Sequence, residues 1–393
     1  MAEGQELPLL LLSGRLYLGS DRDEAALQCL RGPLNWSLLA EMASREGMSG
    51  LLALQLERLA RAYSLDLPLE PFSQALRGIF IQNGRLFGEL ARLEGALRER
   101  DIRVILLKGG ALIETCYHRQ LGLRPLSDLD LLVRPPDVAL VRHYLLERGF
   151  RTPSASSSFY TKGLAAFDLH TDLIGISRIR RRALAFAFDT EELWRNAIPL
   201  HGSHLLALSK SHQFLHLAVH ALKHSFCRLI SFVDLGLVGK DADWQDVLER
   251  ARSSGTLRAM AYAVRSLEKL MAFEIPSLVR SALPPLNRME RIFLDGVTRR
   301  RSGAETLGET MLVFSIPGRA GKLAYLLEYF FPRRKVLAGS FSSRPAFLLY
   351  PRRLVQLTTR GLTQVGKLGL RLGLSMLAGL AGSRRPPRSL TPS

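Results

Sequence analysis

The chain has 393 residues, of which 47% are hydrophobic and 23% charged, and its formal net charge is +18 at pH 7. This balance excludes a disordered or fibrous protein, because there is ample apolar material for a core and no compositional repeat. At ~150 residues per domain, the length allows two or three domains.

The N-terminal region, residues 1–100, has the spacing of amphipathic helices. Apolar residues recur three and four positions apart in WSLLAEMASREGMSGLLALQLERLA and again in FSQALRGIFIQNGRLFGELARLEGALRER. We therefore expect a helical N-terminal region.

Two features indicate the compartment. The opening segment MAEGQELPLLLLSG carries acidic residues where a signal peptide carries cations. The three cysteines lie far apart, which is typical of a reducing compartment rather than of a disulfide framework. We expect a cytoplasmic protein.

The pattern changes at residue 101. A short apolar run, Ile102–Leu107, predicts a buried strand, and a Lys-Gly-Gly turn, the helical segment ALIETCYHR and a second strand, DLDLLV, follow it. A helix is expected from Pro136 to Leu146, closed by Gly149, before a third strand in AAFDLHTDLIG. This alternation predicts an α/β sheet domain over residues 101–200.

Helical spacing returns after Leu205, and the last third of the chain is strongly basic. No acidic residue follows Glu328, and no apolar run reaches the ~20 residues of a membrane span. A field of one sign attracts polyanions, so contact with nucleic acid or an anionic membrane surface through this third is one interpretation. A solubilising arginine surface is the other.

The segment RPLSDLDLLV carries the strongest chemical signal. Residues two apart on a strand share a face, so Asp128 and Asp130 should project together. Two adjacent carboxylates repel each other, and a divalent cation between them is a common reason for the pairing. On this basis, replacing either aspartate should leave stability unchanged or slightly raise it. The alternative is a turn capped by Asp128 with Asp130 solvated.

Two neighbouring segments add to this signal. Lys108, Gly109 and Gly110 lie where a strand enters a helix, and backbone N–H groups at such a junction favour anions. The third strand carries three polar residues on one face: Asp168, His170 and Asp172. A third acid beside the first two would complete a site for two magnesium ions and a triphosphate.

The histidine-rich helix in LLALSKSHQFLHLAVHALKHSFCRLISFVDLGLV allows three interpretations. His212, His216, His220 and His224 recur every four residues, so two of them could share a zinc ion. The row could also be core packing. We favour a third interpretation, in which several side chains face the phosphates as cations and Asp234 pairs with one of them: His220, Lys223, His224 and Arg228.

These motifs resemble the nucleotidyltransferase superfamily that shares its fold with DNA polymerase beta. LLKGGALIETCY, LRPLSDLDLLV, the D-L-H segment and HLAVHALKH are similar to the uncharacterised bacterial nucleotidyltransferase family within it. The resemblance implies an α+β fold: a polymerase-beta-like α/β core over 101–200, helical regions over 1–100 and 201–330, the latter facing the active site, and a basic C-terminal helical segment or tail over 331–393.

The resemblance also implies roles for the motif residues of this sequence. Asp128, Asp130 and Asp168 would be the catalytic metal ligands for two Mg²⁺ ions, with Asp168 also the general base. Nucleotide binding would fall to the glycine turn and to side chains around it: Lys108, Gly109, Gly110, Arg124, Ser127, His220, Lys223 and Arg228. Many superfamily members have serine at the position of Gly110, so backbone donors would replace it here. His170, Asp172 and His224 are secondary candidates, and His170 is a metal ligand, a phosphate donor or a strand residue bonded to Asp172.

The sequence thus predicts a magnesium-dependent transferase that moves a nucleoside monophosphate from NTP, with ATP expected, to an acceptor hydroxyl. The acceptor is a small molecule, a protein or an RNA. Two other functions remain open: a catalytically silent adaptor that binds RNA or a membrane-associated assembly, and a zinc hydrolase built on the histidine helix.

Overall fold

The computed structural model describes residues 4–154, 157–173, 186–300 and 308–331. The chain divides after residue 325, and the first unit carries the fold described below. The predicted basic segment 331–393 lies outside the described residues from position 332 onward. None of the described helices combines the length and apolar character that crossing a membrane requires.

Five helices fill residues 4–100, as the spacing predicts. They are α1 (Glu6–Leu18), α2 (Asp23–Arg31), α3 (Trp36–Glu46), α4 (Ser49–Tyr63) and α5 (Glu70–Arg98). Asn35 begins α3 by accepting a hydrogen bond from the Leu38 amide, and Gly47 ends it in the left-handed conformation that glycine adopts at low cost.

The described residues between 101 and 207 form a mixed sheet with short helices. Its elements are β1 (Val104–Leu106), α6 (Lys108–Thr115), β2 (Leu129–Val133), α7 (Val138–Glu147), β3 (Phe159–Lys162), β4 (Ala165–His170), α8 (Thr190–Arg195), β5 (Ile198–Pro199) and β6 (Leu206–Ala207). The three predicted strands correspond to β1, β2 and β4. The short strands β3, β5 and β6 were not expected.

The six strands have the order β3-β4-β2-β1-β6-β5. The central pair β1 and β2 is antiparallel, whereas β2 and β4 are parallel neighbours. All five residues of β2 are buried, which explains its continuous apolar character apart from Asp130. The α+β fold class is therefore confirmed.

Helices follow the sheet. They are α9 (Lys210–Lys223), α10 (Ile230–Lys240), α11 (Trp244–Ser253), α12 (Leu257–Met271), α13 (Ser277–Ala282), α14 (Arg288–Thr298), α15 (Gly308–Ser315) and α16 (Arg319–Phe330). Helix α9 packs against α10, α11 and α12, and the N-terminal helix α1 also contacts α10 and α12. The helices before and after the sheet therefore pack together, and the boundaries at residues 100 and 200 remain a prediction.

The N-terminal helices hold the loop that precedes β2. Asn83 of α5 is fully buried and donates to the carbonyls of Leu121 and Arg124 at 2.6 and 2.8 Å. The side-chain carbonyl of Asn83 accepts a hydrogen bond from the Leu126 amide at 3.2 Å. Gly50 of α4 lies against the same loop, where an added Cβ would collide with the backbone of Gly122. The loop thus reaches β2 along a fixed path.

Two glycine substitutions test this packing. Gly50→Ala should lower the free energy of unfolding by about 1–3 kcal/mol, because the new methyl group displaces backbone atoms. Gly88→Ala is the matched control: Gly88 lies inside α5 with nothing near an added Cβ, so alanine should raise stability by about 0.5–1 kcal/mol. Urea denaturation measures both values, and equal effects of the two substitutions would contradict the packing described.

Candidate active site

The parallel pairing of β2 with β4 brings acidic residues together. The register places Asp130 opposite Asp168 and Leu132 opposite His170. One ligand atom from each of Asp130, Asp168 and His170 lies within 4.8 Å of the others. Asp130 of the second predicted strand and Asp168 of the third therefore lie side by side on neighbouring strands.

Asp130 is the most buried of these acids, with 6% of its surface exposed. Its Oδ1 accepts a hydrogen bond from the Lys108 ammonium and lies 2.8 Å from His170 Nε2. Burial raises the pKa of the Asp130 carboxyl, but the hydrogen bond from His170 and the positive charge of Lys108 outweigh burial, so this pKa lies below its ordinary value. The alternative of a solvated Asp130 is wrong.

Asp168 and His170 complete the cluster. His170 Nε2 lies 3.2 Å from Asp168 Oδ2, and the Ser158 hydroxyl donates to Asp168 Oδ1 at 2.6 Å. Burial lowers the pKa of His170, yet its hydrogen bonds to Asp130 and Asp168 raise it to about 9. The same contacts, against burial, hold the pKa of Asp168 below its ordinary value. His170 is therefore an imidazolium between two carboxylates at neutral pH.

Asp128 differs from its partners. It lies in the turn before β2 and accepts a hydrogen bond from the Ser127 hydroxyl at 2.5 Å. Burial, and then repulsion from Asp130, raise its pKa above the ordinary value. The sequence-based expectation of mutual repulsion therefore applies to Asp128. It needs correction for Asp130, because Lys108 and His170 compensate that charge.

The Lys-Gly-Gly turn has two different glycines. Lys108 itself has a φ of +47°, an unusual value for a residue with a side chain. Gly109 lines the cleft described below, and an added Cβ would collide with the Arg124 guanidinium. Gly110 faces the sheet, where its Cβ would press on Leu106 and Leu129. Gly109 thus leaves room for a cation, whereas Gly110 allows close packing of helix on strand.

Arg124 is held by an acid on α10. Its Nη2 donates to Asp234 Oδ2 at 2.9 Å, and the Tyr117 hydroxyl donates to the other oxygen at 2.8 Å. Burial lowers the pKa of Arg124, but the Asp234 carboxylate reverses this and raises it. We expected Asp234 to pair with a cation of the histidine helix. It pairs instead with Arg124, because α10 faces the loop before β2.

The histidines of α9 divide into two groups. His212 and His216 are buried, and burial lowers their pKa values to about 4 and about 3. His220 and His224 line the cleft. Burial and the nearby charge of Lys108 hold the pKa of His220 well below its ordinary value. His220 is therefore a neutral imidazole, not the cation that we expected.

A cleft of about 500 Å³ joins these groups. Its sheet side carries Asp128, Asp130 and Asp168 with Lys108, and its helical side carries His220, His224, Cys227 and Arg228. Apolar side chains also line the cleft, among them Leu126, Leu217 and Ile230. The described residues that line this cleft do not include four of the predicted site residues: Gly110, Lys223, His170 and Asp172. The cleft lining is therefore partly polar and partly apolar.

The zinc interpretation of α9 lacks a ligand set. In the described ranges, the one group of three or more side chains able to share a metal ion is Asp130, Asp168 and His170. The rings of His220 and His224 lie 4.6 Å apart, and those of His216 and His220 lie 6.3 Å apart. The histidines of α9 and its C-terminal end therefore form tilted and edge-to-face ring contacts, and no zinc ligand set is found among them in the described residues.

Some residues of the site were missed in the sequence. Ser158 follows a serine-rich loop and reaches Asp168 only because β3 pairs with β4. Tyr117 and Cys227 lie in apolar or mixed segments with no periodic signal. The pairing of the edge strand β3 is the information that would have found Ser158.

One comparison with known proteins gives a match. The model of a protein family described as uncharacterised nucleotidyltransferase matches residues 32–272. No curated protein and no solved structure matches the chain significantly. The matched range includes the acids of the sheet, the glycine turn and helix α9.

Two substitutions distinguish Asp130 of β2 from Asp128 of the turn before it. In a chelating buffer, Asp130→Asn should lower the free energy of unfolding by about 3 kcal/mol, because it leaves Lys108 without its counter-charge and His170 with Asp168 as its one remaining carboxylate partner in this cluster. Asp128→Asn should leave stability unchanged or slightly higher, because it removes a carboxylate whose ionised form is disfavoured. Urea denaturation at pH 7 measures both. A larger loss for Asp128→Asn would contradict this electrostatic account.

Proposed function

The chain belongs to the uncharacterised nucleotidyltransferase family, and from this membership we propose that it transfers a nucleoside monophosphate from a nucleoside triphosphate to an acceptor hydroxyl. The observation that carries the proposal is the register of β2 with β4, which sets Asp130 beside Asp168, and both residues line the cleft. The acceptor is a small molecule, a protein or an RNA.

The side chains present fit a divalent metal ion. Asp128, Asp130 and Asp168 supply carboxylate oxygens, which are the ligands that Mg²⁺ prefers, and all three line the cleft. His170 bonds to two of them and orients both. We propose that these three acids hold Mg²⁺, with two ions expected. Bound there, the metal would stabilise charge on the phosphates and make the acceptor hydroxyl more acidic.

The cations of the cleft suit the phosphates. Lys108 lies beside the acids, and Arg228 is exposed on the opposite side of the same cleft. A triphosphate between them would have positive charge at both ends of its path. Gly109 lines the cleft at the start of α6, beside the Arg124 guanidinium, and Ser127 and His224 offer further polar contacts. Arg124 would act mainly by shaping the turn, because Asp234 already holds its guanidinium.

Asp168 is suited to accept the acceptor's proton. It lines the cleft, and Ser158 and His170 fix its orientation. In the proposed reaction the acceptor oxygen bonds to the α-phosphorus while the bond from that phosphorus to the bridging oxygen of the β-phosphate breaks. Pyrophosphate leaves with those electrons, and the hydroxyl proton passes to Asp168.

Labelled nucleotides test this function. Incubation with each of the four α-labelled NTPs, Mg²⁺ and cell extract should place label on one class of acceptor, with ATP the expected donor. Asp128→Asn and Asp168→Asn should each lower the transfer rate by about a thousandfold, because each removes a carboxylate that acts on the transition state.

Asp172→Asn is the matched control, since Asp172 is the next carboxylate beyond β4 but does not line the cleft among the described residues. This variant should keep its rate within about threefold of the unmodified protein. A thousandfold loss in Asp172→Asn with activity retained in Asp168→Asn would contradict the assignment of the third acid. Nucleotide binding without any label transfer would instead favour a silent adaptor.

A further inference from the structure

The loop between α9 and α10 has a strained backbone. Ser225 and Phe226 are consecutive residues with side chains, and their φ values are +57° and +51°. Such left-handed conformations cost free energy and persist where surrounding contacts enforce them. The two residues that follow, Cys227 and Arg228, line the cleft. The strain therefore lies next to the side chains that face the proposed nucleotide site.

A buried ion pair holds this loop from outside the cleft. Arg300, which follows α14, donates from Nη1 to the Phe226 carbonyl at 2.9 Å and from Nη2 to the Cys227 carbonyl at 2.5 Å. The same guanidinium bonds to the Glu46 carboxylate of α3. Glu46 in turn accepts from the Leu229 amide at 3.0 Å. Two side chains thus bind three backbone groups on either side of Arg228.

The pair is well shielded, and the loop has further supports. The side chains of Arg300 and Glu46 are 12% and 7% exposed. Phe226 is buried and stacks on Phe232 of α10 with ring centroids 5.6 Å apart. The Gly308 amide of α15 donates to the Ser225 hydroxyl at 2.8 Å. Stability of the loop therefore does not depend on the ion pair alone.

A buried ion pair is an inefficient source of stability, because desolvation of both charges offsets most of their attraction. Its distinctive property is the geometry that it imposes on the loop. The planar guanidinium fixes two backbone carbonyls, and the carboxylate fixes the backbone amide beyond them. Arg300 also lies outside residues 32–272, the range that the family model matches. A residue beyond α14 thus contributes to the cleft through the loop backbone.

We infer that Glu46 and Arg300 form a positioning pair that places Arg228 and Cys227 in the cleft and thereby sets the affinity for the triphosphate. This inference rests on the proposed function. The pair itself does not line the cleft among the described residues, and it acts through the backbone of residues 226–229.

Kinetics provide the first test. Glu46→Gln and Arg300→Lys should each raise the KM for NTP by about tenfold, because they weaken a contact made equally in the ground and transition states, while kcat changes less than about threefold. Arg228→Ala should have the same effect, and combining it with Glu46→Gln should add little, since both act through one contact. Additive effects, or a loss confined to kcat, would overturn the inference.

Glu290→Gln is the matched control for a purely structural role. Glu290 is a buried acid, 1% exposed, that pairs with Arg258 in the same helical region. This variant should lose thermal stability to a similar extent but keep the KM for NTP unchanged. An equal rise in KM in Glu290→Gln would show that general destabilisation, not positioning, weakens nucleotide binding.

A thiol assay gives a readout that does not need the transfer reaction. Cys29 and Cys116 are buried, whereas Cys227 is half-buried and lines the cleft, so an alkylating reagent should modify Cys227 first. Magnesium and inorganic tripolyphosphate should slow this alkylation in the unmodified protein and in Glu290→Gln. They should protect at least about fivefold less well in Glu46→Gln and Arg300→Lys.

These outcomes separate the two proposals. If no nucleotide is transferred but protection by tripolyphosphate is lost only in Glu46→Gln and Arg300→Lys, the proposed function is wrong and the positioning pair stands. Protection that is equal in all four proteins would overturn the positioning pair, whatever the transfer assay shows.

Discussion

The parallel pairing of β2 with β4 is the constraint on which the rest of the site depends. Because the two strands run in the same direction, Asp130 and Asp168 lie at the same level and project toward the same cleft. Bringing carboxylates together inside a protein is unfavourable unless cations balance them. Lys108 and His170 supply that balance, and the start of α6 and the end of β4 are therefore tied to the same carboxylate.

The helices around the sheet hold the loops and side chains of the cleft in place. Asn83 fixes the loop before β2, Asp234 fixes Arg124 within that loop, and the pair of Glu46 and Arg300 fixes the opposite side of the cleft. Each of these contacts joins a helical residue to a backbone segment or a cation that lies outside the helices. The cleft thus has one side made of strands and turns and the other made of α9 and the loop that follows it.

The sequence predicted those parts of the site whose residues recur at a regular spacing along one element. The spacing of two along a strand predicted that Asp128 and Asp130 lie together, and the acid on a later strand predicted Asp168. It was less successful where partners come from distant segments. Asp234 pairs with Arg124, 110 residues away, and His220 loses its charge because burial, and then the nearby charge of Lys108, lower its pKa. Strands of two residues, such as β5 and β6, are also too short for any periodic signal.

The most direct test of the account is a crystal structure with Mn²⁺ and a non-hydrolysable triphosphate analogue. The account predicts anomalous density for Mn²⁺ among the carboxylates of Asp128, Asp130 and Asp168, with the phosphates between Lys108 and Arg228. Mn²⁺ bound to the imidazoles of α9, or an analogue bound outside the cleft, would contradict it.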